Sequence, residues 1–286
     1  MKTIFALTDF SDNSVNAANA AVLLAGKIHA NVLLYHNYET MAVASTFSGG
    51  PYVNEEFFLT TTETKKNLDH QLKGLQYIVD SIDKNDRQPT LKALSGDGNL
   101  EDNLKQAIDE NQIEFIIMGT PSGTAIDHLF FGSETNTILQ HAHKPVLIIP
   151  ANKTLGDIKN VVFATTFDEP DIQALHYLIN LGKTFHFNIE VVHVNQPVKD
   201  KAQQIEKEAA FQKHIARFGY DKISFKDIGG HDVADRLHLY CAEEKPDILA
   251  VVHHQHSFLR RIFEHSTTKD ALTDLKLPLF IFPTVL

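Results

Sequence analysis

Glycines and small polar residues cluster in the segments that follow two apolar runs of the sequence. Residues 8–11 read TDFS after the first run, and residues 119–123 read GTPSG after the fourth. Gly132 and Ser133 then precede a helical pattern. Backbone N–H groups at a helix start bind anions such as phosphate, and glycine keeps side chains out of the way. Asp9 adds a carboxylate that accepts a hydrogen bond from a base or a ribose.

Apolar runs that alternate with amphipathic helical patterns must position these segments. Runs that are apolar throughout, such as residues 115–118, are typical of strands in a parallel sheet that helices cover on both faces. The pattern predicts an α/β fold with a doubly wound, open, parallel five-stranded sheet in each half. In the first half, the predicted strands are 3–8, 32–36, 90–94, 113–118 and 145–149, and the predicted helices are 13–28, 62–83, 100–110 and 134–142.

The reversal of strand order in such a sheet predicts where a ligand binds. Ligands of doubly wound sheets lie outside the carboxyl ends of the strands, at the point where the order reverses. If the first strand starts the winding and the fourth begins the other side, residues 8–11 and 119–123 face each other across one crevice. We therefore expect Asp9 and the glycine-containing segment to serve one ligand.

An internal repeat divides the chain into two halves. A constant offset aligns a serine and two prolines without a gap: Ser133 with Ser266, Pro145 with Pro278, and Pro150 with Pro283. Residues 151–158 read ANKTLGDI and are interpreted as a short linker. The repeat predicts two related domains, residues 1–150 and 159–286.

Composition excludes several classes of protein. The formal net charge is −10 and the sequence pI is about 5.9, which disfavours binding to nucleic acid. The single cysteine cannot form an internal disulfide and fits a reducing compartment. No apolar run approaches the roughly 20 residues that span a bilayer, and the first residues lack a signal-peptide core. We expect a soluble, cytoplasmic protein without a membrane partner.

The motifs together resemble a tandem universal stress protein. The resemblance rests on residues 8–11, on Met118 and Gly119, on Gly132 with Ser133, and on the closing KPVLII of the first half. It covers both halves and implies the adenine nucleotide alpha hydrolase-like fold and a role in stress response. The family pattern is glycine, two residues, glycine, nine residues, then glycine followed by serine or threonine.

In the nucleotide-binding branch of that family, this loop holds the phosphates of ATP. The aspartate after the first strand and a residue after the second strand hold the adenosine. The resemblance therefore implies an ATP site, with Mg²⁺ accompanying the nucleotide. Carried over to this sequence, its residues are Asp9, Asn37, Met118, Gly119, Ser122, Gly123, Gly132, Ser133 and Glu134.

Two of these positions depart from a good phosphate site. Ser122 stands where the family has its second glycine, although Gly123 is adjacent. Glu134 places a carboxylate beside the expected phosphates, and Mg²⁺ would offset that charge. No general base or nucleophile stands out in the sequence. We expect a regulatory protein rather than an enzyme, with at most slow, incidental ATP hydrolysis.

The second half has lost the pattern. Val252, Gln255 and His265 align with Gly119, Ser122 and Gly132, and Phe167 aligns with Asp9 within an offset that is uncertain by one residue. Bulky side chains at these places argue against the same ligand. The closing strands, near 146–149 and 279–282, are strongly apolar and would lie at sheet edges, which favours strand pairing. Since the family dimerises through this strand, the resemblance implies that the two halves pair about a pseudo-twofold axis.

Two alternative functions remain open from the sequence. His253, His254, His256 and His265 follow the fourth strand of the second half and could hold Zn²⁺ or another divalent metal. No HExxH or CxxC motif accompanies these histidines. The other alternative is an interaction scaffold that binds no nucleotide and acts through its surface, or as a homodimer.

Overall fold

A computed structural model gives the fold of the chain. It describes residues 1–39, 55–83, 87–120, 133–151, 153–195, 201–253 and 277–286. The strands in these ranges are β1 (Thr3–Leu7), β2 (Asn31–Tyr38), β3 (Leu91–Asp97), β4 (Ile113–Gly119), β5 (Val146–Ile149), β6 (Asn160–Ala164), β7 (Asn188–Asn195), β8 (Ile223–Gly229), β9 (Ile248–Val252) and β10 (Leu279–Phe282). The helices are α1 (Asp12–Lys27), α2 (Glu55–Ser81), α3 (Leu100–Glu110), α4 (Ser133–His141), α5 (Glu169–Phe185), α6 (Lys201–Ala216) and α7 (Val233–Glu244).

The strands form one sheet in the order β3-β2-β1-β4-β5-β10-β9-β6-β7-β8. All pairs are parallel except β5 with β10, where Leu147 lies opposite Phe280. β1 lies between β2 and β4, so the predicted doubly wound α/β fold is confirmed in the first half. The second half repeats this order around β6, and the two five-stranded units meet at their closing strands.

Several elements extend beyond their predicted bounds. β3 continues to Asp97, because the backbone of residues 95–97 pairs with residues 36–38 although their side chains are polar or absent. Helix α2 begins at Glu55, before its predicted start at residue 62. Backbone hydrogen bonds can extend an element past the stripe of side chains that packs it, and the hydrophobic pattern does not report that extension.

Both faces of the sheet are buried, as the continuous apolar runs predict. Neighbouring residues of β1 serve opposite faces, with Ile4 and Ala6 in one hydrophobic cluster and Phe5 in the other. Each cluster also contains residues of the second half, such as Phe163 on one face and Val162 on the other. Within the described ranges, no helix is both long and apolar enough to cross a membrane.

Candidate functional site

A cavity of about 310 Å³ opens at the carboxyl edge of the first half, beside the ends of β1 and β4. It lies where the strand order reverses, with β2 on one side of β1 and β4 on the other. Five of the site residues predicted from the sequence line it: Asp9, Asn37, Met118, Gly119 and Glu134. Ser122, Gly123 and Gly132 lie outside the described residues, and Ser133 is described only as the first residue of α4.

A tight turn after β1 places Asp9 at the cavity. Phe10 adopts a positive φ of 65°, and its N–H donates to Thr8 Oγ1 over 3.0 Å. Ser11 is the N-cap of α1, and its side chain accepts from Ser14 N over 3.3 Å. These local bonds between side chains and backbone hold the chain in a conformation that non-glycine residues rarely adopt.

The same turn keeps Asp9 ionised. Its Oδ1 accepts hydrogen bonds from Ser11 N over 3.0 Å and from Ser11 Oγ over 2.5 Å. Partial burial raises the pKa of Asp9, but the hydrogen bonds from Ser11 and Ser14 outweigh it, and the pKa ends below its ordinary value. Asp9 therefore presents a carboxylate, an acceptor of hydrogen bonds, at neutral pH.

Asn37 lines the cavity, but its side-chain amide is hydrogen-bonded to neighbouring protein groups. Its Nδ2 donates to Gly98 O over 2.9 Å. Its Oδ1 accepts from Asn103 Nδ2 over 2.9 Å and from Tyr35 OH over 3.2 Å. Asn37 thus ties β2 to the loop between β3 and α3, and it shapes the wall of the cavity.

His36 is a cavity residue that sequence reasoning missed. Its Nδ1 lies 2.7 Å from the carbonyl oxygen of Thr8, and its ring centroid lies 4.4 Å from that of Phe10. The repeat offered a signal, because a histidine near the end of the second strand recurs in the second half as His193. A histidine at the same place in both halves indicates a shared role, and this recurrence could have identified His36 from the sequence.

Gly119 is required for the packing of α1 against β4, and the sequence alone does not show this requirement. A Cβ atom at this position would lie 2.5 Å from Asn13 O, so only glycine lets α1 approach β4 this closely. The next residue continues the contact, since Thr120 O accepts from Asn13 Nδ2 over 3.0 Å and Thr120 N donates to Ile149 O over 3.0 Å. The predicted role of Gly119, room for a phosphate, is therefore joined by a structural one.

The first turn of α4 forms another wall of the cavity. Glu134 and Thr135 both line it, and Thr135 is buried whereas Glu134 is exposed. The amino end of a helix carries partial positive charge and unpaired N–H groups, which attract anions. The carboxylate of Asp9 and the amino end of α4 thus both line the cavity. The negative charge of Glu134 weakens the attraction of that helix end for an anion.

Comparison with known proteins identifies the family of this chain. A sequence model of the universal stress protein family matches residues 1–150 and again residues 157–283. The chain belongs to the universal stress protein family. Both halves match, which agrees with the tandem arrangement expected from the repeat.

Individual relatives agree with that assignment. The chain is similar to a universal stress protein of a Synechocystis strain, at 25% identity over 298 residues that cover 99% of this chain and 100% of the relative. A universal stress protein of Thermus aquaticus is 26% identical over 148 residues, which cover 52% of this chain and 98% of the relative. The crystal structure of a universal stress protein from Archaeoglobus fulgidus shares the fold, with a TM-score of 0.70, 13% identity, and coverage of 98% of this chain and 96% of that one.

The second universal stress protein unit keeps the turn and changes its chemistry. Phe167 adopts a positive φ of 62°, and its N–H donates to Thr165 Oγ1 over 2.8 Å, as Phe10 does to Thr8. The structure therefore corrects the predicted alignment of Asp9 with Phe167. Thr166 is the residue that corresponds to Asp9, because the strained phenylalanine fixes the register of the turn.

Charged side chains surround the corresponding turn of the second unit. Asp171, which corresponds to Ser14, is buried and accepts from Thr165 Oγ1 over 2.7 Å and from Thr166 N over 2.8 Å. Lys207 of α6 pairs with Asp168 over 2.6 Å. The position of Gly119 is taken by Val252, the last residue of β9.

The histidine group of this second unit is described only in part. His253 directly follows β9, whereas His254, His256 and His265 lie outside the described residues. Among the described residues, no group of three or more histidine, cysteine, aspartate or glutamate side chains is arranged to hold a metal ion. The metal site stays a prediction from the sequence.

Proposed function

We propose that the cavity of the first half binds one adenine nucleotide, ATP or a close relative, and that the protein acts as a nucleotide-responsive regulator in stress response. The carrying observation is the convergence of Asp9, Asn37, Met118, Gly119 and Glu134 on one cavity at the switch point of the sheet. Its volume falls in the lower part of the range of small-molecule sites, roughly 300–1,000 Å³.

The two ends of the cavity suit the two ends of a nucleotide. The carboxylate of Asp9 accepts hydrogen bonds and repels phosphate, so it suits the hydroxyl and amino groups of a nucleoside. The first turn of α4 lies at another wall and suits the phosphates, through its N–H groups and dipole. Mg²⁺ bound with the phosphates would offset the charge of Glu134.

The second half serves as a structural partner in this proposal. The antiparallel pair β5–β10 connects the closing strands of the two halves, which supports a pairing of the proposed domains 1–150 and 159–286 about a pseudo-twofold axis. One chain then has the arrangement of a dimer, with one working site. We place the protein in the cytoplasm, because its single cysteine, Cys241, forms no internal disulfide and fits a reducing compartment.

Binding without turnover is part of the proposal. The Asp9 carboxylate accepts two hydrogen bonds from Ser11 within the turn, which gives it a binding and structural role. Incubation of the purified protein with ATP and Mg²⁺ should release ADP no faster than incidental hydrolysis would. Release at the usual enzymatic rates of about 1 s⁻¹ or more would overturn this part.

Calorimetric titration with ATP and Mg²⁺ tests the site through Asp9. Asp9→Asn keeps the oxygen that accepts from Ser11 and removes the charge. Since hydrogen bonds to charged groups contribute about 1.5–3 kcal/mol, we expect ATP affinity to fall about 10-fold or more.

Asp168→Asn is the matched control for this titration, because it removes a carboxylate from the corresponding turn of the second half. The control should bind ATP as the unchanged protein does. Equal affinity in all three proteins would place the ligand elsewhere. Absence of ATP binding at millimolar concentration would instead favour an interaction scaffold.

A further inference from the structure

The histidine near the end of the second strand makes the same backbone contact in both halves. His36 Nδ1 lies 2.7 Å from Thr8 O, and His193 Nδ1 lies 2.9 Å from Thr165 O. A carbonyl oxygen only accepts hydrogen bonds, so Nδ1 carries the proton in each neutral ring. The other ring nitrogen, Nε2, is then a hydrogen-bond acceptor.

The two halves differ in what faces this acceptor. In the second half, Gln204 of α6 places its Nε2 2.7 Å from His193 Nε2 and donates to it. In the first half, His36 lines the cavity, and its Nε2 has no hydrogen-bond partner among the described residues. The second half therefore supplies an amide N–H from its own helix where the first half leaves an acceptor for a ligand.

Neighbouring rings fix the orientation of this acceptor. The ring of His36 packs against Phe10 at a centroid distance of 4.4 Å and is stacked with Tyr38 at 6.3 Å and 19°. Together with the bond to Thr8, these contacts hold Nε2 in one place before any ligand arrives. An acceptor held in this way loses little conformational entropy on binding.

We infer that His36 is a specificity-determining residue, whose Nε2 accepts a hydrogen bond from an N–H or O–H group on the nucleoside part of the ligand. The inference rests on the proposed function and deepens it. Asp9 lines the same cavity, so two acceptors select a donor-bearing group. An adenine nucleotide offers two such groups, the 6-amino group of the base and the hydroxyls of the ribose.

The variant His36→Asn isolates this contact. The asparagine amide takes the place of Nδ1 and keeps the donor for Thr8 O, while the acceptor at Nε2 is lost. Calorimetry with ATP and Mg²⁺ should show affinity about fivefold weaker than in the unchanged protein, the size expected for one neutral hydrogen bond. The matched control His193→Asn removes the corresponding Nε2 acceptor in the second half. The ATP affinity of this control should not change.

Changes in the ligand locate the partner of His36 without any risk to folding. ITP lacks the 6-amino donor, dATP lacks the 2′-hydroxyl, and 3′-deoxy-ATP lacks the 3′-hydroxyl. If His36 binds one of these groups, the matching analogue should bind the unchanged protein about fivefold more weakly than ATP does. It should then lose nothing further in His36→Asn, because the same hydrogen bond is already gone.

The outcomes separate this inference from the proposed function. Unchanged ATP affinity in His36→Asn overturns the role of His36 and leaves the nucleotide site standing. Full, additive losses for all three analogues in the variant also overturn it, because none of these groups then meets His36. Absence of ATP binding to the unchanged protein overturns both proposals together.

Discussion

The two halves share a turn and differ in the groups that it presents. Each half has a phenylalanine with positive φ after its first strand and a histidine bound to the backbone carbonyl of the threonine that precedes the turn. In the first half, Asp9 and His36 both line a cavity. In the second half, Thr166 replaces Asp9, and Gln204 donates a hydrogen bond to His193. The turn therefore belongs to the fold, and in the proposed function the groups around it determine the ligand.

Charge separates the halves as well. The position after the turn is neutral in the first half, where Ser14 donates to Ser11 O, and carries a buried carboxylate, Asp171, in the second. A buried carboxylate repels the phosphates of a nucleotide, and the hydrogen bonds that stabilise it come from its own turn. In the proposed account, the second half therefore has internal hydrogen bonds where the first half has a ligand site.

The largest expected effect comes from exchanging the residues at the end of the fourth strand. Gly119→Val gives the first half the residue of the second, and its Cβ would meet the backbone of Asn13 at 2.5 Å. We expect the free energy of unfolding, measured with urea, to fall by about 3 kcal/mol. Gly119→Ala adds a smaller side chain and should also destabilise the protein, because the clash already begins at Cβ. Unchanged stability in both would refute the packing role of Gly119.

The next largest effect compares how much Asp171 and Ser14, which occupy corresponding positions, stabilise their halves. Asp171→Ala removes the acceptor of Thr165 Oγ1 and Thr166 N inside the protein, so we expect a loss of about 2–3 kcal/mol in urea unfolding. Ser14→Ala removes a neutral hydroxyl and should lose about 1 kcal/mol. Equal losses would show that the carboxylate does not stabilise the second half more than the hydroxyl stabilises the first.

The smallest effect concerns the phosphate end of the cavity. Glu134→Gln removes an exposed negative charge from the first turn of α4, so ATP affinity should rise about two- to threefold at low salt. Adenosine has no phosphate, and its affinity should stay the same. Titration of both ligands at two salt concentrations checks this. A rise for adenosine as well would place Glu134 beside the nucleoside instead.

The fold was largely predictable from the sequence, and the chemistry of the site less so. The alternation of apolar runs and helical stripes was sufficient to predict a doubly wound parallel sheet in each half, because burial on both faces leaves a clear pattern. The end of β3 at Asp97 was missed, because backbone hydrogen bonds continue where apolar side chains stop. The beginning of α2 at Glu55 was missed, because the apolar residues 57–59 are adjacent and do not show the three- and four-residue spacing of a helical stripe.

The finer assignments depend on three-dimensional contacts. The sequence offset left Asp9 opposite Phe167, and the positive φ shared with Phe10 moved the correspondence to Thr166. Gly119 was attributed to phosphate binding alone, because its contact with α1 joins residues far apart in the chain. The contact of His36 with the Thr8 carbonyl is likewise invisible in composition or spacing.

The stoichiometry of nucleotide binding tests the central claim most directly. Calorimetry of the full chain with ATP and Mg²⁺ should give one site per chain, and the nucleotide released by denaturing freshly purified protein should not exceed one per chain. Asp9→Asn should weaken that single site, and Asp168→Asn should not. Two sites per chain would contradict the difference between the halves, and no site would contradict the nucleotide-binding function itself.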